Sequence, residues 1–185
     1  MKTDTKRLTL SAVLIALSAV LSLVRVYDLP LGGSITLLSM LPVCVIAICY
    51  GTRWGLFCSV LYAFVQILLD LGKLMGYGMT PQIWIGSLIF DYIIAFGSLG
   101  ISGAFRKRGT WGICSGICVS MFLRFLSHFI SGSILFGTFA PEGWNIYLYS
   151  LCYNGSYMLP EMILTVVGAC LLFRLPQVKK MIRER

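Results

Sequence analysis

A chain of 185 residues with 58% hydrophobic and only 12% charged side chains is too apolar for a water-soluble domain, which carries roughly 25% charged residues. Its mean hydropathy of +0.87 makes a lipid bilayer the natural solvent. The net charge of +8 does not suggest nucleic acid, because the basic residues sit in short clusters between apolar runs and not on one face of a soluble module.

The N-terminus has a basic start and an apolar run, like a signal peptide. The run is long, and no A-x-A cleavage site with a soluble domain follows, so it reads as a retained first helix over residues 8–26. A membrane-spanning helix needs about 20 mostly apolar residues. Five more stretches fit: 34–50, Trp54 to near Leu71, 82–104, 111–136, and a last one that starts between 145 and 152 and ends near Phe173. The expected fold is all-α, an integral membrane bundle of six transmembrane helices forming a single domain over residues 1–185. Pro42 and Pro160 are expected to kink their helices, which membrane helices tolerate. Connections at Gly51–Arg53 and Arg106–Gly109 are short, whereas Gly-rich pieces at 27–34, 72–81 and 137–144 are longer.

Basic residues set the orientation. With the N-terminus in the cytoplasm, Lys2, Lys6, Arg7, Arg53, Arg106, Lys107, Arg108, Arg174, Lys179, Lys180, Arg183 and Arg185 all face inward, and only Arg25 and Lys73 face out. An odd helix count would spoil that alternation. The three longer loops then lie outside, where they suggest a lid over a site that opens outward.

Ionisable groups within a membrane cost about 2.5–3.5 kcal/mol each on insertion scales, so each asks for a partner. Asp91, Arg124, His128 and Glu161 stand inside the apolar runs, with Asp70 near an interface. Asp91 either binds a cationic or hydrogen-bond-donating ligand or pairs structurally with Arg124, and both can hold. Arg124, His128 and Gly132 are spaced four apart on one helix face. They form the wall of a polar cavity, or they serve interhelical hydrogen bonding and close packing. Trp144, Tyr147, Tyr149, Tyr153, Asn154 and Tyr157 crowd one stretch. Trp144 and Tyr147 also suit an interfacial belt, while Asn154 is expected deeper, where its amide can both donate and accept. Ala12 and Ala16, one turn apart, allow another helix to approach, either within the bundle or from a partner.

Several chemistries lack their motifs. The seven cysteines contain no CxxC pair, and the lone His128 cannot complete a usual zinc site with them, so they read as small apolar side chains in the membrane core. No phosphate-binding G-x-x-x-x-G-K-[ST] loop, GxSxG elbow or paired carboxylate occurs. No cofactor or metal is expected. A general base at His128 would have no nucleophile placed for it.

Several motifs occur in order: Ala12-x-x-x-Ala16, Asp91-Tyr92 followed by the helix end Gly100 to Arg106, Arg124-x-x-x-His128-Phe129-x-x-Gly132, Gly143-Trp144, and Tyr149-Ser-Leu-x-x-Asn154-Gly155. In these the chain resembles the S-components of energy-coupling factor (ECF) vitamin importers, specifically the thiamine-specific family, most strongly over residues 85–160. The resemblance implies a thiamine pocket near the outer side of the bundle. Asp91 would recognise the aminopyrimidine with Tyr92 beside it, and His128, Tyr149 and Asn154 would occupy further pocket positions. Gly132 would leave room for the ligand, and Trp144 would stand near the mouth. It also implies partners, namely a transmembrane coupling protein docked on Ala12 and Ala16 and two ATPases, so that this chain itself is not an enzyme. Four positions depart from the family pattern: Asp91 replaces a glutamate, Arg124 a lysine and Phe136 a tryptophan, and the first outer loop lacks a tryptophan. Thiamine suits these residues, since aromatic faces such as Phe136, Trp144 and Tyr149 attract its permanent thiazolium cation. Other readings are the same importer class with a thiamine precursor or another vitamin, a small membrane enzyme using His128 with Asp91, and an assembly protein without a ligand.

Overall fold

The computed structural model describes residues 2–176 and 178. Lys179, Lys180, Arg183 and Arg185, counted above among the inward charges, lie outside the described residues. Six helices run in chain order: α1 (Lys2–Leu23), α2 (Leu41–Tyr50), α3 (Thr52–Gly76), α4 (Pro81–Gly103), α5 (Gly109–Ile134) and α6 (Ile146–Leu172). All except α2 are long and apolar enough to cross a bilayer. Local signals fix the starts of α4 and α6. Pro81 follows Thr80, whose hydroxyl accepts from the Ile83 N–H, and Asn145 accepts from the Tyr147 and Leu148 N–H groups.

Two segments differ from the sequence expectation. The stretch expected as helix 34–50 becomes helical only at Leu41. With ten residues α2 is about 15 Å long, half a membrane. Its residues Pro42–Cys49 are all buried, as befits a helix that is apolar all round. The residues before it form a hairpin instead of a loop and a helix. In it β1 (Arg25–Asp28) pairs antiparallel with β2 (Ser34–Thr36) through Arg25↔Thr36, Tyr27↔Ile35 and Asp28↔Ser34. The second difference is α4, which is not uniform. It starts as α-helix, widens to π-helix over Leu88–Ile94, returns to α at Ala95–Gly97 and narrows to 3-10 over Ser98–Gly103.

The narrowed end of α4 packs through glycine. A Cβ on Gly103 would overlap the Ala47 carbonyl of α2, and one on Gly100 would overlap the Leu56 backbone of α3. Without a hydrophobic force between helices in lipid, such close backbone approach supplies the packing attraction. The core it builds includes Val43, Cys44, Tyr62, Leu99, Ile117 and Met121. Outward, Leu68, Ile134 and Val20 are well exposed, as expected of side chains solvated by acyl chains. Ala12 and Ala16 are exposed as well, so the close approach they permit is not used within this bundle.

One end of the bundle carries Arg53 at the start of α3 and Arg106, Lys107 and Arg108 before α5. The opposite end carries the hairpin, the last turns of α3 and α5, and the first turns of α4 and α6.

Candidate functional site

A cavity of about 170 Å³ lies at the hairpin end, walled by α3, α4, α5, α6 and the hairpin. Asp91, Tyr92, Arg124, His128, Gly132, Phe136, Tyr149 and Asn154 all line it. Trp144 does not; it is 53% exposed in the loop before α6.

Asp91 stands in the π-helical part of α4, an irregularity that often marks functional sites. Its carboxylate is held from three sides. Ser87 Oγ and Ser131 Oγ donate to Oδ2 at 2.8 and 2.7 Å, and His128 Nδ1 lies 3.0 Å from Oδ1. A carboxylate only accepts, so Nδ1 carries the proton. Nε2 is then an acceptor, and it is buried with no hydrogen-bond partner among the described residues. The serines escaped notice in the sequence. Their signal was spacing, since Ser87 precedes Asp91 by four residues and Ser131 follows His128 by three.

Of the two alternatives for Asp91, the structural pairing with Arg124 is not found among the described residues. The Arg124 guanidinium lies 3.9 Å over the Phe96 ring, and its Nε and Nη1 are buried without a hydrogen-bond partner among the described residues. A buried guanidinium on an aromatic face retains part of its stabilisation without a carboxylate. It leaves the Asp91 carboxylate to the serines and His128.

Asn154 is deep, as expected, but its amide is already engaged. Nδ2 donates to Ser150 O at 2.9 Å, and Oδ1 accepts from Tyr157 at 2.8 Å. Gly132 faces the same place. A Cβ there would lie 2.5 Å from Ser150 Oγ and 3.0 Å from Asn154 Nδ2, so the gap is filled by α6 itself.

Glu161 anchors the hairpin. Its buried Oε1 accepts from Thr36 N at 2.6 Å and Thr36 Oγ1 at 2.5 Å. Tyr153 donates to the Pro30 carbonyl and accepts from Gly33 N. Around the mouth, Tyr92 donates to Asp70 Oδ2 at 3.3 Å, and Arg25 donates to Asp70 at 2.9 Å. Asp28 lies 3.3 Å from Arg25 and 3.4 Å from Lys73. Burial opposes the Arg25 charge, but Asp70 and Asp28 outweigh it and raise the pKa above the ordinary arginine value. Burial, then Asp28 and Asp70, also push the Tyr77 phenol up. The sequence put Arg25, Lys73 and Asp70 on this side, but their ion pairs were not foreseen because loop charges ordinarily meet only water.

A bundle of long apolar helices with exposed hydrophobic side chains on its outside, and a cavity at the end where the hairpin is tied to α6, defines a class: a multi-pass membrane protein. Within that class the chain belongs to the thiamine transporter protein family (Thia_YuaJ), whose model matches residues 8–181. It is 35% identical over 181 residues to the thiamine transporter ThiT of Bacillus subtilis (strain 168), covering 90% of both chains. It is 33% identical over 140 residues to the thiamine transporter ThiT of Lacticaseibacillus paracasei, covering 69% of this chain and 67% of that one. Its fold matches a solved structure of ThiT from Listeria monocytogenes, with a TM-score of 0.78 at 24% identity over 95% of this chain and 98% of that one. These relatives place the chain in a bacterial membrane.

Proposed function

We propose that this chain, as a single membrane domain, binds thiamine in the cavity at its hairpin end and serves as the substrate-binding subunit of an ECF importer. The observation that carries the reading is the Asp91 carboxylate, fixed by Ser87, Ser131 and His128 inside a cavity of a thiamine transporter family member. Thiamine's aminopyrimidine offers an amino donor, which Asp91 and the free His128 Nε2 can accept. Tyr92, Phe136 and Tyr149 supply aromatic faces nearer the mouth for the thiazolium. Gly132 and Asn154 hold α5 and α6 together behind the ligand, and Arg124 closes the floor over Phe96. Trp144 meets the ligand only on approach, since it lies outside the cavity.

Import then needs partners, a transmembrane coupling protein and two ATPases. The exposed Ala12 and Ala16 are the face proposed for the coupling protein. With the basic end cytoplasmic, the cavity opens to the exterior.

Titration calorimetry on the purified protein tests the site. Wild-type protein binds thiamine, and Asp91→Asn weakens binding by about 1.5–3 kcal/mol, or roughly 10- to 150-fold, through loss of a charge-assisted hydrogen bond. Unchanged affinity in that variant would remove Asp91 from the site. Tight binding of a thiamine precursor with none of thiamine would change the ligand.

A further inference from the structure

We propose that Cys114 and Cys170 form a dithiol modification site, which a two-electron oxidant closes into a disulfide between α5 and α6. The two sulfurs lie 2.9 Å apart across the interface of these helices. A disulfide is about 2.05 Å long, so bonding asks for less than about 1 Å of closure. Both side chains are half-buried, reachable from outside the bundle yet facing one another. The remaining five cysteines are placed differently. Cys44, Cys49 and Cys58 are buried in the core, and Cys118 and Cys152 are exposed on the helix surfaces.

The pair does not belong to a metal centre, since among the described residues no group of three His, Cys, Asp or Glu could hold an ion. Nor does either thiol line the cavity. Cys114 is in the second turn of α5 and Cys170 in the last turn of α6, at the end bearing Arg106, Lys107 and Arg108. Ten residues separate Cys114 from Arg124, about 15 Å along the helix axis. Higher up, α5 carries Arg124 and His128, and α6 carries Tyr149, Asn154 and Tyr157. A bond at the base therefore joins the two cavity walls without altering any group on them.

The chemistry balances simply. Two thiols lose two protons and two electrons as the S–S bond forms. With a peroxide the O–O bond breaks and both oxygens leave as water. With the azo oxidant diamide the N=N bond takes up both hydrogens and becomes a hydrazine.

The purified full chain is treated with diamide, mapped by mass spectrometry without reduction, and titrated with thiamine before and after. The expected result is a loss of two hydrogens, a linked peptide pair carrying Cys114 and Cys170, reversal by a phosphine reductant, and thiamine affinity unchanged within about twofold. Cys114→Ala and Cys170→Ala should each abolish the linked pair. Absence of that pair in the wild-type protein overturns the proposal, as does linkage through other cysteines in its place. A tenfold or larger loss of affinity in the linked protein overturns the claim that the staple leaves the cavity intact. The affinity arm rests on the proposed function; if the reduced protein binds no thiamine, that reading fails, and the peptide map still decides the disulfide.

Discussion

Gly132 shows how a single residue can be visible in a sequence for one reason and matter in the structure for another. Its four-residue spacing from His128 marked a gap beside a polar wall. The structure fills the gap with Ser150 and Asn154 from α6. Replacing it with alanine would bring a methyl 2.5 Å from Ser150 Oγ and 3.0 Å from Asn154 Nδ2, so α6 must retreat or Asn154 must turn. Overpacking of this sort costs about 1–3 kcal/mol. Asn154 also holds Tyr157, so the disturbance reaches the cavity wall. The prediction is that Gly132→Ala lowers both the thermal midpoint and thiamine affinity. An unchanged affinity, measured by calorimetry, would show that the α5–α6 contact there is not part of the site. Asp91 and His128 were legible because a charge or an imidazole within an apolar run needs a reason. The engaged state of the Asn154 amide was not legible, because it depends on Ser150 and Tyr157, which only the helical path brings together.

At the scale of elements, the hairpin and α1 carry opposite lessons. The hairpin was read as the end of one helix, a loop and the start of the next, since its strands hold four and three residues and alternate too briefly to show a period. Its hold on α6 is Thr36 with Glu161. Thr36→Val removes the hydroxyl donor to Glu161 and the contact with Ser39 while keeping the backbone bond. A buried acceptor that loses a donor costs about 1–3 kcal/mol. For a chain of this size each kcal/mol lowers the thermal midpoint by about 2–4 °C. A midpoint equal to wild type would mean that the hairpin is held elsewhere, for instance by Tyr153 at Pro30. On α1 the sequence left open whether Ala12 and Ala16 pack inside or outside the bundle. Both are exposed on α1, off the packed interior of the bundle. Ala16→Trp places a large ring where the coupling protein is proposed to sit. Uptake in cells should be lost while the purified variant keeps wild-type affinity for thiamine. Intact uptake would move the docking face off α1.

Across the whole molecule, the features legible in advance were those set by solvent. Six helices follow from six apolar runs, because the bilayer demands that backbone groups be satisfied within each segment. What escaped was the departure from regularity: the half-length α2, and the π and 3-10 stretches of α4. The 3-10 stretch coincides with close contacts between helices, such as Gly103 against Ala47, to which hydropathy is blind. Orientation connects this architecture to transport. The Arg106–Arg108 cluster and Arg53 lie at one end, and the cavity mouth with Tyr77 and Met79 lies at the other. If basic residues stay in the cytoplasm, the mouth must face outward, and only then can the cavity capture a solute for import. Membrane-impermeant maleimide on intact cells reads this directly. Gly78→Cys, in the loop between α3 and α4 with nothing near its Cβ position, should label at once. Lys107→Cys, exposed at the opposite end, should label only after permeabilisation. The reverse pattern would point the cavity into the cell, where the same carboxylate and aromatic faces could release thiamine but could not collect it.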